Sequence, residues 1–362
     1  MATAAVKNMN ATEFTPGLWV LPFNILCGCW AWFTRAVRRH VYGSPPLSDP
    51  AAPRTRGSHL FALGDGRTLE YRVWGRCAPG DPVVICLPGM WIQVASMYYS
   101  NVLKYFHVSD ERWCPQNCLF LFTRVGDDFT KRVDEINAMP FTFVSVSRPG
   151  YGASSLKKLP WNYTYDDLVP DVAAVADHLG AETFALYGWS SGGPCALAVA
   201  NGLPDRVSAT YVLCPDGSYF PGHPFSKPFH DGVDDEDAPA TGYFSRPWSL
   251  FEALSTLFYF AMPPGAVVDI WCERSPSSWF KNLEQIRCPV LLVHTRDDAL
   301  VDPNCSRYMH ARLPNSRLTL VPRGDDASHT CLPRGVWDAA MADLRTAATT
   351  GALPPWGSKT GS

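Results

Sequence analysis

Residues Leu186-Tyr187-Gly188-Trp189-Ser190-Ser191-Gly192-Gly193 hold a Gly-x-Ser-x-Gly pattern between two runs of different character. Before it, Thr183-Phe184-Ala185-Leu186-Tyr187 is apolar and strand-like. After it, Pro194-Cys195-Ala196-Leu197-Ala198-Val199-Ala200 reads as helix. With 27 glycines in the chain, the bare pattern arises by chance in roughly one such protein in six, so the spacing alone decides little. The flanks decide it. A strand that reverses directly into a helix holds the central residue in a strained turn, and only small residues two positions to either side leave room. Ser190 is then presented at the carboxyl end of a strand. The Ser191 amide lies at a helix N-terminus, where negative charge is stabilised.

Working outward, residues 82–87, 141–146, 209–214, 289–294 and 317–321 are further short apolar runs of the kind that buried parallel strands require. A hairpin precedes them: residues 59–63, the turn Gly64-Asp65-Gly66-Arg67, and residues 68–74 with Leu69, Tyr71 and Val73 alternating. Helical patterns at 129–139, 165–179, 306–313 and 337–348 fall between strands or after the last one. Strands alternating with helices predict an α/β fold, a doubly wound and mostly parallel sheet. Residues 215–285 break the alternation. They are aromatic and proline-rich, carry an acidic run at 231–237, and read as an inserted lid or cap over the sheet. The expected organisation is an N-terminal apolar segment and linker (1–57), a main domain (58–350) with the lid inside it, and a disordered tail (351–362). No internal repeat is visible.

The 362 residues are 46% hydrophobic and 18% charged, a globular rather than a disordered composition. A net charge of −3 without a long basic run argues against nucleic acid as a partner. The 12 cysteines are scattered, and Cys86 and Cys214 fall on strand patterns, so buried free thiols in a reducing compartment are expected rather than a disulfide framework. Cys114 and Cys118 have no further Cys or His at ligand spacing and make no zinc site. Residues 17–33 are apolar and precede Arg35, Arg38 and Arg39. They read as a membrane-associated segment: a short span that would leave the main domain on the cytoplasmic side, or an interfacial helix presenting Trp19, Trp30 and Trp32. Cys27 and Cys29 within it are candidates for palmitoylation. The alternative is a cytoplasmic protein with that helix docked.

In a doubly wound sheet, ligands bind beyond the carboxyl ends of the strands. A serine nucleophile there needs a base, and the base needs a carboxylate to hold its tautomer. His329, in the polar loop after the last strand, is the candidate base. His294 ends its own strand and is the runner-up, while His178 and His310 lie on helices away from that edge. Asp298, after strand 289–294, is the candidate acid, because its loop abuts the one carrying His329. Asp297 could exchange roles with it, Asp302 reads as a helix cap, and Asp216 after strand 209–214 is a rival. An oxyanion needs two N–H donors. Ser191 supplies one, and Met90, in the turn Gly89-Met90, the other, although Pro88-Gly89 alone reads as an ordinary strand-ending turn.

These pieces together resemble the α/β-hydrolase fold superfamily, and within it the lipase- and esterase-like serine hydrolases with a cap insert. The matching stretches are Leu87-Pro88-Gly89-Met90, Arg148-Pro149-Gly150-Tyr151-Gly152-Ala153-Ser154, Gly188 through Pro194, Leu203-Pro204-Asp205-Arg206-Val207, Cys288-Pro289-Val290 through Asp298, and Ser328-His329. The resemblance covers about residues 58–350. It implies Ser190 as nucleophile, Asp298 as acid, His329 as base, and Met90 and Ser191 as oxyanion donors. The chain departs from the family's common residues at Pro88, Ser147 and Ser328, where His, Asp and Gly are usual. The implied function is hydrolysis of an ester-type bond, in a small molecule or a lipid with an apolar acyl or aromatic group, without metal or organic cofactor. Peptidase, acyltransferase and carbon–carbon hydrolase chemistry run on the same three groups. A non-catalytic binding protein is the reading from another class, since fold does not determine function.

Overall fold

The structure is a computed structural model. It describes residues 46–89, 140–157, 163–216, 282–296, 303–322 and 332–350, with residues 138, 265, 268, 269, 272, 298, 301 and 329. Its strands are β1 (Gly57–Ala62), β2 (Thr68–Gly75), β3 (Val83–Leu87), β4 (Thr142–Val146), β5 (Phe184–Trp189), β6 (Val207–Leu213), β7 (Val290–Thr295) and β8 (Ser316–Val321). The helices are α1 (Val169–His178), α2 (Gly192–Gly202), α3 (Asn304–Arg312) and α4 (Arg334–Thr350).

The strands form one eight-stranded sheet in the order β1-β2-β4-β3-β5-β6-β7-β8. β1 and β2 pair antiparallel, as do β2 and β4, and every later pairing is parallel. The chain leaves β3 for β4 on one side and then returns to β5 on the other. That reversal opens a crevice at the carboxyl ends of β3 and β5, the place where such sheets bind ligands.

Side chains alternate across a strand, so each buried strand feeds two layers. On one face Val83, Ile85, Leu87, Leu186, Val212 and Leu292 pack with α1, α2 and Met309 of α3. On the other, Val84, Cys86, Tyr187, Tyr211 and Leu291 pack with Met341, Leu344 and Ala347 of α4. Strands covered on both faces have no polar side to show. That is why the sequence presents them as continuous apolar runs.

The helical pattern at 165–179 divides into a 3-10 turn at Tyr165–Leu168 and α1 at Val169–His178. Pro170 explains the division, because it has no N–H to complete the helical ladder across that point. Residues 46–56, linker-like in composition, are tied to the domain. Ser48 N donates to Leu60 O and Leu60 N to Pro46 O, each at 2.8 Å, and Arg54 Nε donates to Leu179 O at 2.9 Å. They cover part of the edge strand β1, whose outer backbone groups would otherwise stay open.

Among the described residues seven cysteines are free, and all but Cys77 are buried. No helix among them is long and apolar enough to cross a membrane. The segment 17–33, the helix at 129–139 except Ala138, Cys114, Cys118, the acidic run 231–237 and the tail 351–362 lie outside the described residues.

Candidate active site

Ser190 stands between β5 and α2 with φ +54°, the left-handed region that a non-glycine residue adopts only under constraint. The surrounding backbone imposes it. Ser190 N donates to Leu213 O at 3.0 Å, and its carbonyl accepts from Gly193 N at 2.8 Å and Asp216 N at 3.1 Å. A Cβ on Gly188 would sit 2.5 Å from Gly192 O and 2.9 Å from Ala196 Cβ, and one on Gly192 would run into the Leu87 carbonyl oxygen. These obstacles are mostly backbone and cannot swing aside. Gly192→Ala is therefore expected to lower folding stability by about 1–3 kcal/mol, read from the urea midpoint.

His329 and Asp298 reach this serine from the ends of β8 and β7. His329 Nε2 lies 2.9 Å from Ser190 Oγ, and His329 Nδ1 lies 2.7 Å from Asp298 Oδ2. Relative exposures of 8% for Ser190, 6% for His329 and 1% for Asp298 leave water little access to these contacts. Trp189 steadies the histidine, since its indole Nε1 donates to His329 O at 2.9 Å. Asp298 Oδ1 accepts from Val301 N at 2.9 Å, which orients the carboxylate. Burial raises the Asp298 pKa, but the charge and hydrogen bonds of His329 and His294 outweigh it. The carboxyl is held well below the usual carboxylate range.

Ser191 forms the first corner of α2 and is fully buried. Met90 lies outside the described residues. Gly89 before it shows how closely the end of β3 approaches, since a Cβ there would lie 3.0 Å from Ser190 Cβ. Among the rivals, Asp216 meets the elbow through its amide, while the carboxylate against His329 Nδ1 belongs to Asp298. Asp297 and Asp302 lie outside the described residues. His178 is engaged with Ser48 and Tyr71, and His310 with Ser316.

His294 is fully buried on the far side of Asp298, with Nε2 3.2 Å from Asp298 Oδ2 and 3.1 Å from Val301 O. Its Nδ1 faces Ser306 Oγ at 2.7 Å. Two acceptors at Nε2 place the proton there and leave Nδ1 to accept from the serine hydroxyl. Sequence reading placed His294 at this edge but not against the acid, because which side chains meet across a loop is a tertiary matter. Glu70 was missed as well. It is fully buried, accepts from Ala153 N at 2.8 Å and faces Ser147 Oγ at 3.2 Å. Its only sequence signal was a charge within an alternating strand.

Cys214 Sγ, an Asp298 oxygen and a His329 nitrogen lie within 4.8 Å of one another, the one such group among the described residues that could share a metal ion. Burial and the adjacent Asp298 carboxylate push the Cys214 thiol pKa far up. A thiol held protonated is a poor metal ligand, because the thiolate is the form that binds.

Comparison with known proteins points to the same fold. A family model described as the alpha/beta hydrolase fold matches residues 122–246, which include the whole serine turn. RutD of Cronobacter turicensis, provisionally named a carbamate hydrolase, is 25% identical over 195 residues, 49% of this chain and 71% of that protein. The pimeloyl-[acyl-carrier protein] methyl ester esterase of Neisseria meningitidis serogroup B is 26% identical over 193 residues, covering 43% of this chain and 68% of the esterase. The crystal structure of the enol-lactonase from Burkholderia xenovorans LB400 superposes with a TM-score of 0.51 at 18% identity, over 80% of this chain and 99% of the lactonase. At that identity the superposition speaks for the fold alone. Sheet order, matched family model and relatives converge: the chain has the α/β-hydrolase fold and is similar in sequence to hydrolases of that superfamily.

Proposed function

We propose that this protein is a serine hydrolase that cleaves an ester-type bond through an acyl-enzyme. The observation that carries the reading is the continuous line from Ser190 Oγ to His329 Nε2 (2.9 Å) and from His329 Nδ1 to Asp298 Oδ2 (2.7 Å). Asp298, ionised by its surroundings, accepts the Nδ1–H and leaves the Nε2 lone pair facing the serine hydroxyl. As Ser190 Oγ bonds to the substrate carbonyl carbon, its proton passes to Nε2. The Ser191 and Met90 N–H groups receive the developing oxyanion. The alcohol then leaves with the proton from Nε2, and water repeats the sequence to release the acid and restore Ser190.

The named relatives favour this bond class, since a methyl ester and a carbamate both present an acyl carbonyl bearing a heteroatom leaving group. An apolar acyl or aromatic substrate fits the aromatic residues of the proposed lid at 215–285, which include Tyr219, Phe220, Phe225, Tyr243, Phe244 and Trp248.

Fluorophosphonate labelling, run beside hydrolysis of esters of rising chain length, tests the reading. Covalent labelling at Ser190 and turnover of the apolar esters are expected. A wild-type protein that takes no label and turns over no ester would overturn it. The reading also gives residues 17–33 a task, holding the domain at a membrane where apolar esters reside. Full-length protein should resist carbonate extraction, and a form beginning at Ser58 should be released. If both are released, the anchor is absent.

A further inference from the structure

The loop after β4, Arg148-Pro149-Gly150-Tyr151-Gly152, runs along the carboxyl edge beside the serine turn. Arg148 is only 4% exposed, and its guanidinium serves two separate elements. Nη1 pairs with the carboxylate of Asp269, which also accepts from the Tyr151 hydroxyl. Nη2 lies 3.2 Å from Ser191 Oγ. Asp269 is 2% exposed and belongs to the long connection between β6 and β7, in which residues 265, 268, 269 and 272 are helical. Its described residues rest on the same loop. Gly265 N donates to Gly150 O at 3.1 Å, a Cβ on Gly265 would collide with the Tyr151 ring, and Val268 and Cys272 enter the core.

Two buried charges are a costly way to join two elements, because apolar side chains of the same volume hold them as well without desolvation. What an apolar pair cannot do is orient a hydroxyl. Ser191 stands at the N-cap of α2, yet its side chain makes no capping bond to that helix. Its oxygen faces Arg148 instead. The planar guanidinium has its donors in a fixed fork, so seating one edge on Asp269 sets where the other edge meets Ser191. Ser191 is also the residue whose amide direction matters for an oxyanion.

We propose that Arg148 is a positioning residue that, anchored by Asp269, holds Ser191 and so orients the Ser191 amide at the oxyanion site. The proposal rests on the reading of Ser191 N–H as an oxyanion donor. With both partners in place the fork is complete and the Ser191 amide is fixed. Without the Asp269 carboxylate, Arg148 loses its anchor and Ser191 its partner, while Ser190, His329 and Asp298 keep their own contacts.

The test compares wild type, Ser191→Ala, Arg148→Lys and the double variant Arg148→Met/Asp269→Leu, which removes both charges at similar volume. Two readouts are taken: the rate of fluorophosphonate labelling, and hydrogen exchange of the amides across residues 188–196. The double variant should keep its thermal midpoint, take the label roughly tenfold more slowly and exchange faster across the elbow. Adding Ser191→Ala to it should cost little more, since both changes cut the same link. Arg148→Lys, which keeps the charge without the fork, should also slow labelling, and it stands in if the double variant does not fold. Unchanged labelling or unchanged exchange overturns the proposal, and so does full additivity with Ser191→Ala. If the wild type takes no label, the serine-hydrolase reading falls. Exchange alone then decides the coupling: faster exchange in the variants supports it, and equal exchange overturns it.

Discussion

Ser190→Ala is expected to abolish fluorophosphonate labelling and to lower ester turnover by roughly 10⁵- to 10⁶-fold while leaving substrate affinity near the wild-type value. The size follows from what the hydroxyl does. In the proposed reaction it is the only part of the residue that forms and breaks a bond, and no other group lies 2.9 Å from His329 Nε2 to replace it among the described contacts. The fold should tolerate the change. Ser190 is held at φ +54° by hydrogen bonds of its backbone and of its neighbours, and alanine keeps all of them. Turnover measured under saturating ester, with the thermal midpoint as control, checks both halves. A variant that still hydrolyses at a tenth of the wild-type rate would remove Ser190 from the chemistry.

Asp298→Asn should lower kcat by roughly 10⁴-fold, and Asp216→Asn should leave it near wild type. An amide facing His329 Nδ1 either turns its NH₂ toward the ring and forces the proton onto Nε2, or turns its oxygen there and its NH₂ elsewhere. Val301 makes the second arrangement costly, because its N–H lies 2.9 Å from the Oδ1 position, where the NH₂ would then stand donor against donor. Substantial activity in Asp298→Asn together with loss in Asp216→Asn would exchange the two assignments. The change also carries a pH signature. The folded pKa of Asp298 lies below its ordinary value of 3.8, so its contribution to stability is present above about pH 4 and is lost as pH falls toward the folded pKa. Asp298→Asn removes that contribution. Urea midpoints between pH 7 and pH 3 should fall less steeply in the variant than in the wild type.

The serine turn was legible because its demands are local. A strand, a sharp reversal and a helix leave a period change in the chain, and close backbone approach leaves glycines at 188, 192 and 193. The sheet was legible for a similar reason. Strands buried on both faces must be largely apolar, and β3, β5 and the first four residues of β7 are. His329 and Asp298 were reachable by one further rule, that function gathers at the carboxyl ends of parallel strands. The rule names an edge and not a partner. It could not separate Asp298 from Asp216, because both follow strands that end on the same crevice.

Composition and periodicity by themselves determined the α/β class, the place of the serine turn and the strand edge on which His329 and Asp298 lie. Each of these follows from interactions within a few residues or from burial of whole strands. Only the tertiary structure decided that Asp298 faces His329 Nδ1, that His294 braces Asp298 from behind, and that Arg148 joins Asp269 to Ser191. Those contacts join residues that in three cases of four lie more than thirty positions apart, on loops whose direction no local pattern encodes. A hydrogen bond of that kind depends on angles and tenths of an ångström, and those are set only when the packed sheet brings the loops together.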